Sequence, residues 1–105
     1  MKKLIEKYYN KFLEKFLSPQ EILLVKNHRT AAGFWAAKEA ASKALGCGIG
    51  AECSFHDITI SKTAKGAPLL ELSANVKEHF NVQSTALSIT HVGDYTISVV
   101  THETI

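Results

Sequence analysis

A chain of 105 residues, 46% hydrophobic and 21% charged, is long enough for one folded core and too apolar to remain disordered. Its net charge of +2 excludes a polycation built for nucleic acid, so any electrostatic preference must come from a local patch. A domain of this size encloses little volume alone, and its site is expected to be shallow or shared between copies.

The opening stretch places Ile5, Tyr8, Tyr9, Phe12, Leu13 and Phe16 at helical spacing, which predicts an amphipathic helix over residues 2–17. Glu6, Lys7, Lys11 and Glu14 interrupt its apolar run, so neither a signal peptide nor a membrane span is expected, and the cytoplasm is the expected compartment. Lys3, Lys7, Lys11 and Lys15 recur every fourth residue and form one basic stripe. Such a stripe is either a solvated face or a docking surface for an acidic partner.

Ser18-Pro19-Gln20-Glu21 reads as a helix start, with Ser18 as N-cap and Glu21 completing a capping box, and a short helix follows through EILLVK. A long helix is predicted from Thr30 or a neighbour through Leu45. Its many alanines and Gly33 leave room for close approach by another element, and Gly46 stands at its C-terminal stop. Cys47 and Cys53 are the only cysteines and read as reduced thiols, without the partners of a structural zinc site. Residues 55–61 and 69–72 alternate as two strands of a hairpin turned at 63–68, Ser73 caps a short helix through Phe80, and residues 86–91 and 95–100 supply two further strands around Val92-Gly93-Asp94. The predicted fold is a single α+β domain over residues 1–105, with N-terminal helices packed on an antiparallel sheet.

Glu39 and Lys43 share a face of the long helix. An intrahelical ion pair worth about 0.2–0.5 kcal/mol is one outcome. Phosphate chemistry is the other, because Mg²⁺ takes one or two protein carboxylates and fills its shell with water and substrate phosphates, while lysine neutralises a phosphate oxygen. Residue types alone leave both open.

Trp35-Ala36-Ala37-Lys38-Glu39-Ala40, with Ser42-Lys43-Ala44-Leu45-Gly46 and Gly48-Ile49-Gly50, resembles the signature of holo-(acyl carrier protein) synthases, the small 4′-phosphopantetheinyl transferases. Phe55-His56-Asp57-Ile58, Lys65-Gly66-Ala67-Pro68 and Leu87-Ser88-Ile89-Thr90-His91 are similar to later segments of that family, in the same order. The resemblance implies Mg²⁺-dependent transfer of phosphopantetheine from coenzyme A to a serine of apo acyl carrier protein, in fatty acid biosynthesis. By residue match it implies Glu39 as the metal ligand and Lys43 as the diphosphate contact. Lys38 is matched as a phosphate contact or an ion-pair partner, and His91, Gly66, Pro68, Gly48 and Gly50 as residues bordering the substrate. It also implies a homotrimer with sites between subunits, and it gives Lys3, Lys7, Lys11 and Lys15 a role in docking the acidic carrier protein. No nucleic-acid or membrane partner is expected.

Two departures accompany the match. Members of the family begin with a short strand whose aspartate is a second metal ligand, whereas this sequence opens on the basic helix, with no Asp before Phe12. A truncated chain or an incomplete metal site is expected from this, with weakened catalysis and an exposed sheet edge. Phe34 stands where the family often has arginine, so one phosphate or carrier-protein contact is either missing or supplied by Arg29. The alternative to a transferase is therefore a catalytically impaired module that binds coenzyme A or carrier protein.

Overall fold

The computed structural model describes the backbone of residues 2–104 and the side chains of residues 6–104. The elements run α1 (Lys2–Glu14), α2 (Pro19–Ile22), α3 (His28–Ala44), a 3₁₀ turn (Phe55–Asp57), β1 (Ile58–Lys62), β2 (Pro68–Leu72), α4 (Ala74–Phe80), β3 (Val82–Val92) and β4 (Tyr95–Thr104). The α+β reading holds.

Several boundaries differ from expectation, each for a local reason. α1 stops before residue 17 because the chain tightens, with Lys15 N–H donating to Phe12 O at 3.2 Å and Phe16 N–H to Leu13 O at 3.1 Å. The capping box at Ser18 and Glu21 forms as read, but α2 ends at Ile22, where shorter i to i+3 bonds to Glu21 O and Ile22 O take over. α3 starts at His28 because the Asn27 side chain accepts from Thr30 N–H at 3.1 Å. Gly46, at φ +87°, ends it in the left-handed region.

Phe55–Asp57 was expected within a strand and instead forms the 3₁₀ turn. Asp57 folds it back: one carboxylate oxygen accepts from Ser54 N–H at 2.9 Å and the Ser54 hydroxyl at 3.1 Å, and the other accepts from the Ser73 hydroxyl at 3.0 Å. The hydrogen bond from the Ser54 backbone, helped by both hydroxyls and His56, holds this carboxyl below its ordinary value of 3.8 against the opposing effect of burial.

The single sheet expected is two two-stranded antiparallel sheets, β1–β2 and β3–β4. α4 separates β2 from β3, ending on Asn81 at φ 55°, and the pairing at the start of β3 is irregular between Val82 and Ser84. In β3–β4, Leu87, Ile89 and His91 pair with Val100, Ser98 and Thr96 on the face turned to α3. Val92, Tyr95, Ile97 and Val99 occupy the other face and are exposed.

The core joins Leu13, Phe16 and Leu17 to Phe34, Ala37 and Ala41 of α3 and to Ile58, Ile60, Leu70 and Leu72 of the first hairpin. At its centre lies an ion pair, Lys38 Nζ to Glu21 Oε1 at 2.9 Å, with side chains 0% and 1% exposed. The ammonium also donates to Phe16 O at 2.7 Å and Phe55 O at 3.0 Å, so its three protons are all used. Glu21 Oε1 accepts in addition from Ser18 N–H at 2.7 Å, and Oε2 from Ile60 N–H at 2.8 Å.

Two outcomes follow for stability. Asp57→Asn should lower stability at neutral pH, with the deficit present above pH 3.8 and closing as pH falls through the depressed carboxyl value, where wild type also becomes protonated; urea titrations across pH measure it. Lys38→Met should cost about 3–5 kcal/mol by leaving Glu21 unpaired, while adding Glu21→Gln should recover most of that in the same titrations.

Candidate functional site

α3 is the post on which the site is built. A β-carbon on Gly33 would lie 3.2 Å from Ile89 Cγ2 and 3.4 Å from Thr96 Cγ2, so glycine is what lets β3 and β4 approach the helix this closely. Ser98 Oγ donates to Gly33 O at 3.2 Å, and His102 Nε2 donates to Ala41 O at 2.9 Å. A carbonyl can only accept, so the His102 proton sits on Nε2 and Nδ1 accepts from the Thr85 hydroxyl at 2.8 Å.

With Phe34, Ala37, Lys38, Ala41 and Ser42 turned inward, Glu39 and Lys43 lie on the outer side of α3, Glu39 half-buried and Lys43 exposed. Their intrahelical ion pair is not formed, and Glu39 joins no ion pair among the described residues. Ser42 Oγ donates to the Glu39 carbonyl at 2.9 Å. No group of three or more His, Cys, Asp or Glu side chains converges among the described residues. A half-buried, unpaired carboxylate suits a hard cation such as Mg²⁺, which leaves most of its shell to water and phosphate; it does not suit a zinc-type cage made wholly of protein ligands.

Lys38 requires a correction. As a substrate-phosphate contact it would need a free donor at the surface, but it is wholly buried and its donors are committed to Glu21, Phe16 and Phe55. Burial pushes its ammonium below the ordinary lysine value of 10.5, and the hydrogen bond and charge of Glu21 oppose that shift. The ion-pair alternative is the one realised, with a carboxylate across the fold.

The other candidate residues fall into three places. Gly66, Pro68 and His91 converge on one open cleft of about 160 Å³, joined there by Lys62, Thr30 and Gly33. Lysine and histidine line it without a carboxylate, so it suits an anion. His91 Nδ1 lies 3.1 Å from Thr96 Oγ1, which orients the ring. Gly66, at φ +88°, makes the turn that brings Pro68 back to this cleft. Gly48 and Gly50 lie instead in the loop after α3; Gly48 has φ +68° and Gly50 has no positive φ. That loop is anchored by buried Cys53, whose thiol is raised to about 11 by burial first and then by Cys47 and Asp57.

Lys7, Lys11 and Lys15 are exposed, and the side chain of Lys3 lies outside the described residues. Between α1 and α3 runs an apolar cavity of about 340 Å³, lined by Tyr9, Phe12, Phe16, His28 and Trp35. The aromatic spacing in α1 signalled an apolar face; that His28 and Trp35 complete a groove was not legible. Lys62 and Glu21 were also missed as site residues. Lys62 carries no motif, and Glu21 was legible only as a cap.

The sequence profile of the 4′-phosphopantetheinyl transferase superfamily matches residues 1–100. The chain belongs to this superfamily. A holo-[acyl-carrier-protein] synthase of Sulfurimonas denitrificans is 62% identical over 100 residues, covering 95% of this chain and 83% of the relative. The crystal structure of Helicobacter pylori holo-[acyl-carrier-protein] synthase in complex with coenzyme A superposes with a TM-score of 0.88 at 50% identity, covering 97% of this chain and 90% of that one. The enzyme from Neisseria meningitidis gives 0.81 at 29% identity, covering 96% and 86%. The transferase assignment and the α+β fold thus agree with the motif resemblance, and this transferase has no helix among its described residues long and apolar enough to cross a membrane.

Proposed function

We propose that this transferase is a holo-acyl carrier protein synthase that moves 4′-phosphopantetheine from coenzyme A to a serine of apo acyl carrier protein, in the cytoplasm and in support of fatty acid synthesis. The observation that carries the reading is the pairing of an unpaired, half-buried carboxylate, Glu39, with an exposed ammonium, Lys43, one turn along a helix pinned on its inner side. The serine hydroxyl gives up its proton to solvent as its oxygen attacks the β-phosphorus, the bond to the bridging oxygen breaks, and adenosine 3′,5′-bisphosphate leaves with that oxygen. Glu39 would hold Mg²⁺, which supplies charge neutralisation on the diphosphate when bound. Lys43 reaches from the same face toward a phosphate oxygen and stabilises the charge that develops on it. Lys62 and His91 supply donors to anionic parts of coenzyme A in the cleft bordered by Gly66 and Pro68. Gly48 and Gly50 keep the loop beyond α3 free of side chains where the ligand runs.

Lys7 and Lys11 are exposed on the side of α1 away from the aromatic groove, where they offer an acidic partner a basic surface. Lys3 and Lys15 extend the same stripe. The exposed apolar face of β3–β4, with Tyr95 at 77% and Val99 at 55%, is the kind of surface that a second copy covers, and it supports a homotrimer with shared sites.

The deciding experiment is mass spectrometry of apo acyl carrier protein after incubation with coenzyme A and Mg²⁺, with a chelator control. A metal-dependent gain of one phosphopantetheine is expected; binding of coenzyme A without that gain would favour a binding module. Glu39→Gln should lower turnover by about 100-fold or more with an unchanged melting curve. Reversing Lys7 and Lys11 to glutamate should raise KM for carrier protein about tenfold and leave KM for coenzyme A nearly unchanged, as steady-state kinetics would show.

A further inference from the structure

The Lys38–Glu21 pair has no solvent access, so the proposed transfer cannot use either group as a substrate contact. Its geometry acts on α3. Lys38 directly precedes Glu39, and its ammonium is tied to Phe16 O beyond α1, Glu21 in α2 and Phe55 O in the 3₁₀ turn. Glu21 is in turn tied to Ser18 N–H and Ile60 N–H. Neighbouring helical side chains project about 100° apart, so any rotation of α3 that redirects Glu39 pulls Lys38 from acceptors anchored on separate elements. Sliding along the axis is opposed by Ser98 and His102, which hold helix carbonyls from β4.

Stability alone does not account for this arrangement. Apolar side chains of the same size would hold a core as well as a buried ion pair, but apolar contact has no direction. Charge-assisted hydrogen bonds have a direction. We propose that Glu21 and Lys38 are positioning residues for Glu39, an inference that rests on the transferase reading above. They fix the rotation of α3 so that the Glu39 carboxylate and the Lys43 ammonium meet the diphosphate together. A misplacement of about 1 Å at such a site costs roughly 100-fold in rate.

The test uses full-length Glu21→Gln/Lys38→Met, the single Glu21→Gln, which leaves the Lys38 bonds to Phe16 and Phe55 in place, and Glu39→Gln. Mn²⁺ affinity is read by electron paramagnetic resonance with coenzyme A present, kcat and KM by carrier-protein modification, and folding by thermal melts. The double variant should melt cooperatively, bind Mn²⁺ about tenfold more weakly and lose about tenfold in kcat, with KM for coenzyme A within about threefold of wild type. Glu21→Gln should show a smaller loss in the same parameters. A folded double variant with wild-type Mn²⁺ affinity and kcat overturns the inference, and so does failure of both variants to fold, which would confine the pair to holding the fold. Glu39→Gln separates the two readings. If it binds Mn²⁺ normally, Glu39 is not the ligand and both readings fall; if it is metal-defective beside a normal double variant, the positioning claim alone falls.

Discussion

The three N-terminal helices and the start of the first hairpin meet at one buried charge pair. Removing an ammonium and a carboxylate from water is costly, and the cost is offset only where every proton and lone pair finds a partner. Lys38 and Glu21 reach that condition by drawing on the ends of other elements: carbonyls left open after α1 and in the turn before β1, and amide groups at the start of α2 and within β1. The requirement to satisfy two charges thereby becomes a requirement that helices and hairpin stand in one arrangement.

The outer face of α3 inherits that order. Small side chains on the inner face let β4 lie close, and hydrogen bonds from Ser98 and His102 to helix carbonyls lock the contact. What remains outside is a carboxylate and an ammonium held on a rigid rod, with a cationic cleft near the start of the helix and an aromatic groove along its flank. A domain of this size has little interior to spare, and the cleft and groove around α3 both open to the surface.

The three functional zones also differ in how they are held. Glu39 and Lys43 sit on a long helix braced by buried polar bonds. Gly66, Pro68 and His91 sit at hairpin ends and owe their meeting to the packing of the two hairpins around α3. The basic stripe lies on α1, whose inner face makes edge-to-face aromatic contacts such as Tyr9 with His28 at 5.0 Å. The proposed reacting groups thus rest on the element braced by buried polar bonds, and the lysine stripe lies on the periphery.

Local sequence determined a good deal. The capping box at Ser18, the glycine stop at Gly46, the Ser73 cap and the two hairpins are short-range patterns whose physics is complete within a few residues. The ordered motifs around Glu39 and Lys43 were equally legible, because a signature is a linear pattern. Other features were decided only by the tertiary structure. Lys38 reads as either a phosphate contact or an ion-pair partner, and only a carboxylate 17 residues away decides for the second. Phe55–Asp57 reads as strand until Asp57 finds Ser54 and Ser73. Burial and the partner of a charge depend on which distant segments pack against it, and short-range pattern carries no record of that.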